Sequence, residues 1–158
     1  MLGVRVARLD DLVQWLELVA EVEPLFGPMP DFADHAARGI TRGSALVAAE
    51  GDTLEGACLL SRDDLPHAIR LLAVREGSRR RGAGSLILRA IEERWPTGDI
   101  SVVTFGSRVR GGAAARRFYE ARDFEARGPA APGPDGSGRD LYVLARRAGT
   151  GHRSRSLD

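Results

Sequence analysis

One segment constrains this chain more than any other: Leu72-Ala73-Val74-Arg75-Glu76-Gly77-Ser78-Arg79-Arg80-Arg81-Gly82-Ala83-Gly84-Ser85-Leu86. The apolar run Ile69–Val74 reads as a strand leaving a core. A short loop turns, and a helix with Leu86, Ile87, Ala90 and Ile91 on one stripe begins at two glycines. The first N–H groups of a helix have no intrahelical partner and sit at the positive end of its dipole, so this helix start favours an anion. Glycine lets a phosphate approach the backbone with no Cβ in the way, and arginine adds charge-assisted hydrogen bonds. A bare arginine triplet reads as a solvated face, but a strand before it and an amphipathic helix after it argue for an anion turn. A dinucleotide fingerprint needs a third glycine where Ile87 stands, and a Walker loop needs a lysine, of which the chain has none.

The flanking sequence supplies further elements. Val4–Leu9 reads as a strand, and Leu12, Trp15, Leu16 and Val19 form a helical stripe that Asp10 or Asp11 can cap. Pro24, Gly27, Pro28 and Pro30 break the chain, after which Asp31 can cap a shorter helix through Phe32, Ala36 and Ile40. Ala45–Glu50 and Leu54–Leu60 read as strands joined at Gly51-Asp52. Pro96 stops the helix after the glycines, Ile100–Phe105 is a strand, Ala113–Arg122 a helix and Leu141–Leu144 a closing strand. Gly128–Gly138 is too rich in glycine and proline for either element. The order predicts an α/β domain over residues 1–147, and Gly149–Asp158 reads as a frayed polar tail, so 148–158 is expected to be flexible.

At 158 residues, 43% hydrophobic and 28% charged, the chain fits one ordinary globular domain. It has neither an apolar run of membrane-spanning length nor a visible secretory signal, which predicts a cytoplasmic protein with no membrane partner. Cys58 cannot form an intramolecular disulfide, and with three scattered histidines it suggests no metal site. The net charge of +1 hides an asymmetry: residues 1–66 hold 5 arginines against 12 acids, and residues 67–158 hold 18 against 10.

Two motifs carry a family resemblance. Arg79-Arg80-Arg81-Gly82-Ala83-Gly84 fits R/Q-x-x-G-x-G/A, the acyl-CoA pyrophosphate signature of the GCN5-related N-acetyltransferase (GNAT) superfamily. Downstream, Ala115-Arg116-Arg117-Phe118-Tyr119-Glu120-Ala121-Arg122-Asp123-Phe124 is similar to that family's A-x-x-F/L-Y-E-x-x-G-F. The chain departs from the pattern twice. Gly112 stands where the family often has asparagine, and Asp123 where it has glycine at the helix exit.

The resemblance implies a mixed, twisted central sheet of six to seven strands flanked by about four helices, splayed between Ile69–Val74 and Ile100–Phe105. It implies direct acetyl transfer from acetyl-CoA to an amine of a small molecule or peptide, with no metal. The cofactor-binding residues it implies are Arg79, Arg80, Arg81, Gly82, Ala83, Gly84 and Ser85 for the pyrophosphate, with Leu72, Ala73 and Val74 offering backbone donors near the thioester carbonyl. Tyr119 matches the family's general acid: a phenol can protonate a leaving thiolate. Packed on the sheet instead, Tyr119 would be an ordinary core aromatic. The strand that often carries a glutamate base reads His67-Ala68-Ile69-Arg70-Leu71, without a carboxylate. His67, beside Pro66, reads as a solvated loop-edge residue, and Glu21, Glu23 and Glu50 read as surface acids, so no base is assigned. Cys58 reads as a buried, inert thiol.

Two rival functions are a non-catalytic acyl-CoA-binding or sensory domain and an arginine-rich nucleic-acid-binding module. Aromatics at 6%, none among the arginines, weigh against the second. In the family the chain resembles, the N-terminal helical region borders the acceptor side, so the resemblance makes Glu17, Glu21, Glu23, Asp31 and Asp34 point to a cationic acceptor, the alternative being solvated helix acids. Gly128–Gly138 is expected to form a mobile wall beside the acceptor pocket, and a homodimer is left open.

Overall fold

Period-two alternation organises the sheet: Leu46 and Ala48 face one layer and Ala45 and Val47 the other, as do Cys58 and Leu60 against Ala57 and Leu59. The structure is a computed structural model that describes residues 1–146; the tail expected over 148–158 lies outside the described residues. Its strands are β1 (Gly3–Val6), β2 (Ala45–Glu50), β3 (Thr53–Leu60), β4 (His67–Val74), β5 (Ile100–Phe105), β6 (Glu125–Ala130) and β7 (Arg139–Leu144). Its helices are α1 (Leu12–Phe26), α2 (Phe32–Arg42), α3 (Ala83–Arg94) and α4 (Ala113–Glu120). The sheet order is β1-β2-β3-β4-β5-β7-β6, antiparallel except where β4 meets β5. Among the described residues, seven strands and four α-helices match the expected mixed α/β architecture.

Helices cover both faces. Trp15, Leu18 and Val22 of α1 and Phe32, Ala36 and Ile40 of α2 bury one face. Ile87, Leu88 and Ile91 of α3 close the other, with Tyr119, Phe124 and Tyr142. Burying such side chains contributes roughly 1.5–3 kcal/mol each, so the two clusters hold the sheet between them.

Several local readings are corrected. Helix α1 runs through Pro24 to Phe26 and ends at Gly27, whose φ is +86°. So near the helix end, a proline forfeits one hydrogen bond while Val22 keeps its place in the core. Neither Asp11 nor Asp31 caps a helix with its side chain. Strand β6 takes in Gly128-Pro129-Ala130. It is an edge strand, where proline is tolerated, and its register shifts between Ala126 and Pro129, with Gly128 at φ +115°. Asp123 takes the left-handed conformation (φ +73°) of the family's glycine, which a short polar side chain tolerates.

Asp11 clamps the N-terminus instead. Its carboxylate accepts both guanidinium nitrogens of Arg5 (2.8 and 2.9 Å) and the Arg8 backbone N–H (2.7 Å). The Arg5 hydrogen bond holds the Asp11 carboxyl below its ordinary value of 3.8. A depressed carboxyl contributes stability above its unfolded pKa, lost as pH falls through the folded value. Asp11→Ala is expected to lower unfolding free energy by about 2–3 kcal/mol at pH 7. In urea titrations the gap to wild type should close as pH falls below about 4; a gap independent of pH would remove the ion pair as its cause.

Candidate active site

Strands β4 and β5 pair only at His67–Ile69 with Ile100–Val102. Immediately beyond, β4 carries a bulge: Leu60 faces Ile69 and Leu59 faces Leu71, so Arg70 is the extra residue. From there Leu71–Val74 follow β3 while Val103–Phe105 follow β7, and the sheet opens between them as expected. Two cavities fill the opening and share Phe26, Leu72, Phe105 and Ala115. The outer one, about 250 Å³, runs from the glycine turn past Leu72, Ala73 and Val74 to Phe118. The inner one, about 290 Å³, holds Tyr119, Arg70 and residues 131–134.

The turn at the outer mouth is held from three sides. Arg75 Nε donates to the Leu54 carbonyl (2.6 Å), the Glu76 N–H to Glu21 (3.1 Å) and Ser78 Oγ to the Glu55 carboxylate. Residues Glu76–Arg81 form a 3₁₀ turn that Gly82 closes at φ +82°, ψ +18°, and α3 starts at once. A Cβ on Gly82 would meet no protein atom within 4 Å, whereas one on Gly84 would lie 3.0 Å from the Phe118 ring. The backbone here is therefore an open cradle at a helix N-terminus, the kind of place that favours an anion.

The arginine triplet divides. Arg79 lines the outer cavity, Arg80 is exposed, and Arg81 turns away to Glu50, with Glu55 at 3.9 Å. Gly82, Gly84 and Ser85 line the cavity, while the Ala83 side chain is packed in the core. Arg122 belongs with them and was missed. It donates to Ser85 Oγ and to the Phe118 carbonyl (3.0 Å), lies 4.1 Å above the Phe118 ring, and faces the same cavity. A third arginine inside the downstream motif, one turn after Phe118, was the available signal.

Tyr119 is 5% exposed, with edge contacts to Phe118 and Phe124, and its other side borders the inner cavity. Burial pushes its phenol well above the ordinary range. The structure thus places it both in the core and at the cavity wall. Cys58 is fully buried, and burial pushes its thiol up to about 12, so it stays protonated and inert.

His67 is not a solvated edge residue. It is 6% exposed and stacked on Trp95 at 4.3 Å, because β4 begins at this residue beneath the end of α3. Glu21 is taken up by Glu76 and Arg75; Glu50 by Arg81 and the N-terminal amine (3.2 Å), with the Arg81 hydrogen bond holding its carboxyl low. Among the described residues, no carboxylate or histidine lines the inner cavity.

Gly112 also has a steric cause. A Cβ there would lie 2.5 Å from Cβ of Phe105, and the Phe105 ring walls both cavities. An asparagine would displace that ring. Residues 131–134 do border the inner cavity, beside Arg139, which donates to the Phe26 carbonyl (3.2 Å) and lies 4.8 Å over the Phe105 ring.

Comparison with known proteins agrees with this architecture. The family model described as an acetyltransferase (GNAT) domain matches residues 41–126. No curated protein matches. Among solved structures, a GNAT-family acetyltransferase from Bacillus cereus is similar over 93% of this chain and 98% of its own, at 18% identity and a TM-score of 0.73. Arabidopsis thaliana Naa50, in complex with the bisubstrate analogue CoA-Ac-MVNAL, matches 91% of this chain and 98% of its own at 17% identity and TM-score 0.71. The PaiA N-acetyltransferase of Thermoplasma acidophilum, in complex with coenzyme A, matches 90% and 98% at 16% identity and TM-score 0.67.

Proposed function

The chain belongs to the GNAT acetyltransferases, and from that premise we propose that it transfers an acetyl group from acetyl-CoA directly to the amine of a small molecule or peptide. The observation that carries this reading is the continuity of the open glycine cradle with the cavity beside Tyr119, through the gap between β4 and β5. A long, flexible donor with a polyanionic end matches that shape: charge at the mouth, an apolar passage, and a polar group at the inner end.

Acetyl-CoA supplies the acyl group as a thioester. Backbone N–H groups of residues 82–85 with Arg79 and Arg122 would hold its pyrophosphate, and Arg80 lies at the rim. Arg81, engaged by Glu50, anchors the turn. Leu72, Ala73 and Val74 would flank the pantetheine arm, offering backbone donors toward the carbonyl. The Tyr119 hydroxyl would give a proton or a hydrogen bond to the departing sulfur. Where the amine arrives neutral, no side chain need deprotonate it before attack; as the C–N bond forms and the C–S bond breaks, the proton shed by nitrogen would pass through water to restore the Tyr119 hydroxyl. The cationic lining of the acceptor side disfavours the ammonium form and lowers the amine's pKa.

Thermal unfolding with acetyl-CoA, CoA and unphosphorylated pantetheine, together with thiol release over an amine panel, tests the reading. Acetyl-CoA at a hundredfold excess over its Kd is expected to stabilise the fold by about 2.7 kcal/mol, and pantetheine far less. Thiol release should follow with at least one amine. Cofactor binding with no transfer to any amine would favour the sensory alternative.

A further inference from the structure

We infer that the acceptor is an amine that also carries an oxyanionic group, a carboxylate or a phosphate, and that Arg70 reads that group. The inference deepens the proposed acetyl transfer and rests on it. Arg70 is the bulged residue of β4, and a bulge re-aims its side chain out of the ladder. The side chain is exposed and lies on the wall shared by the inner cavity and a wider one of about 700 Å³ on the α2 side. That wider space holds Arg38 and Arg42 of α2, Arg62 of the β3–β4 loop and Arg70, against the single carboxylate, among the described residues, of Asp64. Among the described residues, none of these four arginines makes an ion pair.

The acids that pointed to a cationic acceptor lie elsewhere. None of Glu17, Glu21, Glu23, Asp31 and Asp34 lines either cavity, and Glu21 is spent on the glycine turn. A polyamine entering this mouth would meet like charge. A carboxylate or phosphate would meet guanidinium forks matched to its geometry, with the amine directed inward towards Tyr119. The inner cavity of about 290 Å³ suits a small amine end rather than a bulky one.

The test is thiol release at saturating acetyl-CoA over matched acceptors: amino carboxylates, aminoalkyl phosphates, the corresponding neutral carboxamides, and diamines. Wild type should favour the best anionic amine over its carboxamide by at least about 30-fold in kcat/KM, with diamines poorest. The carboxylate and phosphate arms identify which oxyanion is read. Arg70→Gln should erase most of that preference by raising KM for the anionic acceptor about 10- to 100-fold. Its KM for the carboxamide should change far less, and its thermal response to acetyl-CoA should stay unchanged. Equal use of carboxylate and carboxamide, a preference for diamines, or an Arg70→Gln variant that keeps the anion preference would each overturn the inference while leaving acetyl transfer intact. Failure to transfer to any member of the panel would instead overturn the transferase reading.

Discussion

Gly82→Val is expected to abolish the thermal response to acetyl-CoA, whereas Gly43→Val, carrying the same kind of backbone strain, should keep it. Both glycines close a helical turn in the left-handed region, Gly82 at φ +82° and Gly43 at φ +77°, and a Cβ on either meets no protein atom within 4 Å. An L side chain costs roughly 1–2 kcal/mol in that conformation, so both variants should lose similar stability without ligand. They differ in what the open space is. At Gly82 it is the mouth of the cavity at the start of α3; Gly43 ends α2 and lines neither the cradle nor the passage. Valine at 82 would stand where an anion must approach the helix N–H groups, and affinity should fall more than about 100-fold. Calorimetric titration of both variants with acetyl-CoA separates binding from strain. Equal responses in the two would remove the anion role from the turn.

The parts of the fold that were legible in sequence are those where chemistry and period agree. Apolar runs of six to eight residues gave the central strands, and Gly51-Asp52 between two of them gave the hairpin that pairs Glu50 with Thr53. The turn was legible because glycine pairs, arginines and an amphipathic helix occur together. What escaped has physical reasons. Pro129 and Gly128 suit an edge strand, and local composition does not tell an edge from a loop. His67 looked solvated beside a proline because its partner, Trp95, comes from a distant helix. The division of labour among Arg79, Arg80 and Arg81 depends on Glu50, 31 residues from Arg81 in sequence.

The bulge at Arg70 is the most instructive omission. Ile69-Arg70-Leu71-Leu72 reads as one more stretch of a buried strand with a stray charge. That charge was the signal: in a central strand, a guanidinium must leave the core, and the ladder accommodates it by inserting one residue. The pairing of β4 with β5 ends at the residue before Arg70, so the residue that lines both cavities also marks where the sheet opens. Reading charge totals over the N-terminal half could not reveal this, because the acids there are numerous but, Asp64 apart, line neither cavity.

Tyr119→Phe is expected to lower kcat by about 10²–10⁴-fold with little effect on folding or on acetyl-CoA binding. The ring packs edge-on against Phe118 and Phe124, and phenylalanine preserves both contacts. What is lost is one hydroxyl from a residue that lines the inner cavity. Burial keeps that phenol protonated far above neutral pH, so it remains a donor throughout the assay range, and its ionisation should impose no alkaline fall in rate there. A buried phenol is a weak acid towards a thiol whose ordinary pKa is near 8.5. Its help therefore depends on the leaving sulfur being equally deprived of water in the same cavity. This gives a test beyond the loss of rate. With an acyl donor whose thiol is more acidic, the departing sulfur needs less protonation, and the deficit of Tyr119→Phe should shrink. Single-turnover measurements with acetyl-CoA and with a thiophenol-type thioester at saturating acceptor compare the two directly. A Phe variant with wild-type single-turnover rates would assign Tyr119 to packing alone. A deficit identical for both donors would place its hydroxyl on some other step than departure of the thiol.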